Sequence, residues 1–108
     1  MVILGGCASS AVFTDSDRGQ TKTIDAGSIF SIALPPGEAW KRPTLDSRSV
    51  EFLGRRVEEP GGRHLFEFRA DRIGEAEIRI PSETDRGSRS EYILRVRVTS
   101  PMMPFVAR

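Results

Sequence analysis

The sequence has few of the residues that form disulfides, metal centres and catalytic pairs. Its 108 residues include one cysteine, Cys7, and one histidine, His64. A single cysteine excludes an internal disulfide. Structural or catalytic zinc requires three or four converging Cys, His or carboxylate ligands, and no such spacing occurs. A Cys-His pair would have to join Cys7 to His64 across a long stretch of chain. We therefore expect no metal, no cofactor and no enzymatic activity.

Indications of several partner classes are missing as well. No apolar run approaches the ~20 residues that cross a bilayer, and no Gly-rich phosphate loop lies between a strand and a helix. The formal net charge is only +1, which gives no indication of nucleic-acid binding. The fractions of 38% hydrophobic and 29% charged residues are typical of a globular protein, and the length fits one domain. We expect neither nucleic acid nor a small-molecule substrate.

The N-terminus carries a short motif with a specific chemical meaning. From Leu4 to Cys7 the chain has the Leu-small-small-Cys form of a bacterial lipobox, in which the chain is cut before the cysteine and its thiol is lipidated. Only residues 1–3 precede the motif, so the basic region and long apolar segment of a signal peptide are missing. Two interpretations stay open. Lipidation of Cys7 would place the protein outside the cytoplasm, in the periplasm or anchored in the bacterial envelope, whereas a chance match would leave a free terminal cysteine.

Apolar and polar residues alternate over three segments in the second half of the chain. The apolar positions are His64, Phe66, Phe68 and Ala70, then Ala76, Ile78 and Ile80, then Tyr92, Leu94, Val96 and Val98. Period two with Gly or Pro at the joins predicts β-strands with one buried face and one wet face. The intervening charges are expected to form cross-strand pairs. They are Glu67, Arg69, Glu77, Arg79, Arg95 and Arg97.

The first half adds less regular strands. Residues 28–34 alternate, and Pro35-Pro36-Gly37 ends that strand because proline cannot donate to a sheet and glycine frees the backbone. Short strands are expected around Trp40 and over residues 49–56. Six to eight short strands of this kind predict an all-β, immunoglobulin-like antiparallel sandwich.

Composition divides the chain into three parts. Residues 1–20 hold the lipobox-like motif and a leader rich in Ser, Asp, Thr and Gly, which predicts flexibility. Residues 21–100 are predicted to form the sandwich domain. Residues 101–108 contain Pro101 and Pro104 and are expected to form a loose tail.

Within the sandwich, residues 60–70 combine a Gly-Gly turn with an aromatic-Glu-Phe-x-Ala strand, and Gly74, Ala76 and Ile78 follow as a glycine turn and an Ala-x-Ile strand. This stretch resembles the chagasin family of cysteine-protease inhibitors. Upstream, Leu34-Pro35 and residues 37–40 occupy the place of its first inhibitory loop. The order of strands and turns is consistent with the family pattern over residues 21–98.

The resemblance implies a sandwich whose loops at one end enter the cleft of papain-like proteases. Such inhibitors need preformed loops rather than catalytic groups. The residues that it assigns to the protease-binding loops are Pro35, Pro36, Gly37 and Trp40, with Pro60, Gly61, Gly62 and His64. Residues 81–90 occupy the place of the third loop.

Several of these residues also have plain structural interpretations. Trp40 is the only tryptophan and fits a buried core position. His64 shares the face of Phe66 and Phe68, which favours packing at the rim of the core. Gly61-Gly62 would suit any hairpin turn.

The loops also differ from the family pattern. In the first loop, Pro36 stands where four or five residues are expected, and Glu38 replaces an aromatic residue. The third loop lacks the family's Arg-Pro-Trp motif. Two function classes therefore stay open. One is an inhibitor of papain-like cysteine proteases, and the other is a lipid-anchored immunoglobulin-like adhesion or assembly module that has the scaffold without the inhibitory activity.

Overall fold

A computed structural model describes residues 11–84 and 86–100; the lipobox-like motif with Cys7 and the predicted tail of residues 101–108 lie outside them. The described chain is a sandwich of a four-stranded and a five-stranded β-sheet. Its helical content is the 3₁₀ turn Asp15–Asp17. In this part of the chain, no helix is both long and apolar enough to cross a membrane. The prediction of an all-β, immunoglobulin-like sandwich is confirmed.

The described residues form nine strands, one more than the upper limit predicted. They are β1 Ala11–Thr14, β2 Thr21–Asp25, β3 Ile29–Leu34, β4 Ala39–Trp40, β5 Thr44–Leu45, β6 Val50–Glu58, β7 Arg63–Ala70, β8 Gly74–Glu83 and β9 Arg89–Thr99. The first sheet has the order β1-β3-β7-β6, and the second has the order β2-β9-β8-β4 with β5 also paired to β8.

The sheets are mixed, whereas the sequence predicted purely antiparallel ones. Strand β1 pairs with β3 in parallel, and β2 pairs with β9 in parallel. Tight hairpin turns can join only antiparallel strands, whereas strands that come from distant or separately connected segments can align in parallel. The alternation pattern cannot distinguish these two directions, because side chains alternate between the faces in both.

The core lies between the sheets and uses the predicted apolar faces. The predicted core residues Phe66, Phe68, Ile78, Leu94 and Val96 are fully buried. Phe30 of β3 stacks on Phe68 with ring centroids 5.3 Å apart. Burying a side chain of this size contributes about 1.5–3 kcal/mol relative to leaving it exposed. These two rings, both from the first sheet, form part of the core that lies between the sheets.

The leader predicted as flexible is structured over residues 11–20. Phe13 packs against Phe30 with ring centroids 5.8 Å apart, and the Tyr92 hydroxyl donates to the Thr14 carbonyl oxygen at 2.8 Å. The polar composition of this segment favoured a loop, but burial of one aromatic ring and pairing with β3 offset the entropy cost of ordering it.

Strands β1 and β2 are neighbours in sequence but lie at the edges of different sheets. The chain between them is fixed to β9, since the Gly19 amide donates to the Ile93 carbonyl at 2.7 Å and the Arg95 amide donates to the Gln20 carbonyl at 3.0 Å. One flank of the sandwich is therefore crossed and closed by residues 11–25. On the opposite flank, β6 and β4 are the edge strands.

The charged faces form the cross-strand pairs that the sequence predicted. On the second sheet Arg95 pairs with Glu77 at 3.0 Å, Arg79 with Glu91 at 3.0 Å and Arg97 with Glu75 at 3.1 Å, and Arg79 also contacts Glu77 of its own strand at 2.7 Å. Hydrogen bonds from Arg79 and then from Arg95 lower the pKa of the Glu77 carboxyl. On the first sheet Arg56 pairs with Glu67, and Arg69 pairs with Glu51. Apart from Glu77, whose side chain is 14% exposed, the partners are largely exposed, so most of these pairs contribute little to stability.

Candidate functional site

The first predicted loop connects the two sheets. Strand β3 ends at Leu34 because neither Pro35 nor Pro36 has an N–H to donate. Gly37 has φ of +100°, a conformation that side chains rarely adopt, and the chain turns there towards the second sheet. It enters β4 at Ala39, paired with Glu83 of β8. The loop therefore spans the end of the sandwich.

The second predicted loop is the turn between β6 and β7. The Gly62 amide donates to the Glu58 carbonyl at 2.7 Å, and the Glu58 carboxylate pairs with Arg63 across the base of the turn. Gly62 has φ of +80° and requires glycine, whereas Gly61 does not have a positive φ. A Cβ at Gly61 would have no heavy atom within 4 Å. Gly61 thus lies at an open tip.

The third loop is shorter than the sequence predicted. Residues 81–90 were expected to form it, but Pro81 to Glu83 belong to β8 and Arg89 begins β9. The remaining connection is closed by the Thr84 amide, which donates to the Ser88 carbonyl at 2.9 Å. Pro81 does not end the strand pairing. It lies opposite Glu91, and the register with β9 continues through Ser82 and Glu83. Asp85, at the turn, is outside the described residues.

These three turns lie at the same end of the sandwich, and the first loop lies against the second turn and against the end of β8 that leads into the third. A Cβ on Gly62 would lie 3.6 Å from the Cβ of Pro36, so the first and second loops touch. On the other side, the Ser82 hydroxyl donates to the Glu38 carboxylate at 2.7 Å. The structure therefore brings together Pro35, Pro36 and Gly37 with Pro60, Gly61 and Gly62.

Two predicted loop residues are not presented at the tip, since Trp40 is buried and His64 is partly buried. Trp40 is 4% exposed, and its indole Nε1–H donates to the Pro35 carbonyl at 3.0 Å. His64 is partly buried in β7, opposite Leu34. Its Nδ1 atom is buried without a hydrogen-bond partner in the described part of the chain. The core position expected for Trp40 and the rim position expected for His64 are therefore observed, and Trp40 holds the first loop through its hydrogen bond to Pro35.

Two further contacts that hold the loop end were not found from the sequence. Ser82 is buried and bridges Glu38 and the Ser90 hydroxyl, the latter at 2.8 Å. Arg55 of β6 donates to the Trp40 carbonyl at 2.6 Å. These contacts join residues that are far apart in the chain, and a single sequence gives no indication of such pairs.

The chemistry available at this end is that of a binding surface. Among residues 11–84 and 86–100, no group of three or more His, Cys, Asp or Glu side chains is placed to hold a metal ion. The exposed groups are backbone at Pro60 and Gly61 and the side chains around them. Preformed turns of this kind can make backbone contacts with another protein at low entropic cost.

Solved structures share this architecture. The chain superimposes on the cysteine protease inhibitor EhICP2 from Entamoeba histolytica with a TM-score of 0.69, at 12% identity, over 82% of this chain and 94% of that one. The fold is chagasin-like. Amebosin gives a TM-score of 0.60 at 19% identity, over 84% of this chain and 99% of that one. No protein-family model matches the chain, and no curated protein matches it either.

At these identities the likeness shows the fold. The expectation that the chain is not an enzyme is compatible with this fold, which EhICP2, a cysteine protease inhibitor, shares. The arrangement of the loops on this chagasin-like scaffold is the basis for the functional proposal.

Proposed function

We propose that this domain inhibits a papain-like cysteine protease by placing its loop end in the protease cleft. The observation that carries the proposal is the contact of the Pro35–Glu38 loop with the β6–β7 turn and with Ser82 near the end of β8, on a scaffold shared with a cysteine protease inhibitor. Three adjoining turns form one continuous edge, which suits a narrow cleft. The inhibitor is the partner of the enzyme and needs no reactive group of its own.

The order of the loop end favours tight binding. The first loop is fixed at its start by two prolines and at its end by the buried Trp40 ring, and the second by an ion pair at its base. A loop that is already ordered loses little conformational entropy on binding. Gly61 has no side chain and open space around it, so its backbone can approach a protease surface closely.

The test is a titration of papain-like proteases with the purified domain and with Gly61→Glu. In the proposed complex, the added side chain blocks the approach and places a charge where no partner satisfies it. Inhibition by the parent at micromolar or lower concentration and its loss in Gly61→Glu is the expected result. The variant should fold normally, because Gly61 has neither a positive φ nor a close neighbour.

Gly54→Glu is the matched control. Gly54 lies in β6, also without a positive φ, and a Cβ added there would have no heavy atom within 4 Å. This variant adds the same charge away from the loop end and should inhibit like the parent. If the parent inhibits none of several papain-like proteases, the proposal is wrong and the second function class becomes the better one.

The second function class is an adhesion or assembly module attached to the bacterial envelope. The Leu4 to Cys7 motif and the departures of Pro36 and Glu38 from the inhibitor pattern favour it. In this proposal Cys7 is lipidated and the protein works outside the cytoplasm. More than one acyl chain is needed for stable anchoring, which bacterial lipoproteins supply.

Fractionation of cells that produce the protein from its own gene tests the anchor. The protein should sediment with membranes, and Cys7→Ser should release it into the soluble fraction. A protein found wholly in the cytosol with Met1 intact would contradict lipidation. This result is independent of the inhibition assay, since a lipidated protein could still inhibit a protease.

A further inference from the structure

A cleft of about 530 Å³ opens on the flank of the sandwich opposite β1 and β2. One wall is the segment from Trp40 to Pro43, and the other is β6 with the Phe66 ring behind it. Its lining residues are Trp40, Lys41, Arg42, Pro43, Phe52, Gly54, Arg55 and Phe66. The volume lies within the range of clefts that bind ligands. The cleft is separate from the exposed tips of Pro60 and Gly61.

The charge of this cleft is entirely positive. Lys41, Arg42 and Arg55 line it, and no acidic residue does. None of the three forms an ion pair with a carboxylate of the described residues. Elsewhere on the described surface, arginines are commonly paired, as in the Arg79–Glu77 and Arg69–Glu51 bridges. A local excess of unpaired positive charge beside low-dielectric walls attracts anions.

The two arginines of the cleft are held in place by aromatic and backbone contacts. The Arg42 guanidinium lies 5.2 Å from the Phe52 ring centroid, and the Arg55 guanidinium lies 5.7 Å from that of Phe66. Arg55 also donates to the Trp40 carbonyl at 2.6 Å. Positioned guanidinium groups lose less entropy when they bind a carboxylate, and their fork of donors matches its two oxygens.

We propose that this cleft binds a short acidic segment of a protein partner. Three cations from two walls require a ligand with more than one anionic group, and the space exceeds that of a single carboxylate. The aromatic rings and Pro43 suit apolar side chains between the acidic ones. A polypeptide that carries several carboxylates supplies both features. The inference does not depend on protease inhibition.

Heteronuclear NMR of the full chain, titrated with a Glu-rich peptide that has blocked ends and one Tyr, tests the proposal. The single Trp in the chain gives one indole resonance at the cleft. We expect saturable shifts of the Trp40 indole and of the Arg42 and Gly54 amides. The peptide with Gln in place of Glu should bind with an affinity at least about tenfold weaker, since charge drives the binding.

The double variant Lys41→Gln/Arg42→Gln should weaken binding of the Glu-rich peptide by about tenfold, because two charge pairs are lost. The control is Arg48→Gln/Arg72→Gln, which removes the same charge from residues outside the cleft that form no ion pair with described carboxylates. It should leave the affinity within about twofold.

Three results would overturn the proposal. The first is equal binding of the Glu and Gln peptides. The second is an equal loss in the Arg48/Arg72 control, which would mean that only the overall charge matters. The third is tighter binding of inorganic phosphate than of the Glu-rich peptide, which would assign the cleft to phosphorylated ligands instead.

Discussion

Trp40 and Pro35 are joined by a hydrogen bond that closes the first loop on itself. The indole Nε1–H donates to the Pro35 carbonyl at 3.0 Å, and the ring is 4% exposed. The bond ties the end of the loop on the second sheet to its start on the first sheet. Core packing therefore determines the shape of the loop, because the ring cannot move without opening the core.

Replacing Trp40 by Phe should loosen this loop without unfolding the domain. The variant keeps an aromatic ring but loses the donor and leaves a small void, so the free energy of unfolding should fall by about 1–2 kcal/mol. Hydrogen exchange at the amide of residue 40, which donates to the Glu38 carbonyl at 3.1 Å, should become faster. Trp40→Ala should cost about 3–5 kcal/mol. Urea unfolding measures the stabilities, and a Phe variant with unchanged exchange would show that the hydrogen bond does not fix the loop.

Replacing Phe68 by Ala should remove a large part of the stability of the domain. Phe68 is fully buried and stacks on Phe30 at 5.3 Å. Loss of the ring should cost about 3–5 kcal/mol, out of a typical total of about 5–15 kcal/mol. Ile73→Ala is the control, because Ile73 is 67% exposed and should change stability by less than about 0.5 kcal/mol. Equal melting of both variants would contradict the observed core.

Tyr92 should not ionise at its ordinary pH while the domain is folded. Burial, and then the charges of Asp17 and Asp15, raise the pKa of its hydroxyl above the usual 10.0. In the unfolded chain the hydroxyl ionises near pH 10, so the folded state loses stability as the pH rises above that value. Since Tyr92 is the only tyrosine, absorbance titration reports it alone. Ionisation near pH 10 with the fold intact, judged by circular dichroism, would contradict burial.

Asp17 should stabilise the fold at neutral pH and lose this effect in acid. A hydrogen bond from the Thr14 amide, and then one from Lys22, lower the pKa of its carboxyl below 3.8. A lowered pKa in the folded state contributes stability above the unfolded pKa, and that contribution disappears as the pH falls through the folded pKa. Asp17→Asn should therefore lower the melting temperature at pH 7.

The difference between Asp17→Asn and the parent should shrink as the pH falls below about 4. Asp15→Asn, in the same 3₁₀ turn, is the control. The Asp15 side chain is 52% exposed and pairs only with Arg18 among the described residues, so a smaller effect is expected. A difference between Asp17→Asn and the parent that stays constant from pH 7 to pH 2 would contradict this explanation.

The sequence predicted the second half of the fold better than the first. Strands β7, β8 and β9 are long, and their strict alternation indicates both the strand and its buried face, as for Phe66 and Ile78. Strand β1 has four residues and lies in a polar context. Its pairing depends on contacts of Phe13 and Thr14 with residues far along the chain. Local pattern does not contain that information.

The candidate site was predictable where glycine and proline define it. Pro35, Pro36 and Gly37 end a strand, and Gly61-Gly62 forms a turn, so both loops were found from local rules. The burial of Trp40 was also expected from the sequence, whereas its hydrogen bond to the Pro35 carbonyl, which holds the loop, is given only by the packed structure. The all-positive lining of the cleft likewise arises because Arg55 on β6 faces Lys41 and Arg42 across the flank.

The closed flank and the open flank give the sandwich two sides with different risks of self-association. An edge strand offers unpaired backbone groups to any other strand, and charged side chains are one defence against such pairing. On the flank that residues 11–25 cross, the outer edges belong to the short strands β1 and β2, of four and five residues. On the other flank β6 keeps a free edge, interrupted by a bulge between Phe52 and Gly54 and carrying Arg55 and Arg56. The positive charges of Lys41, Arg42 and Arg55, which make this side a candidate for acidic ligands, thus also oppose the approach of a second copy of the chain at this edge.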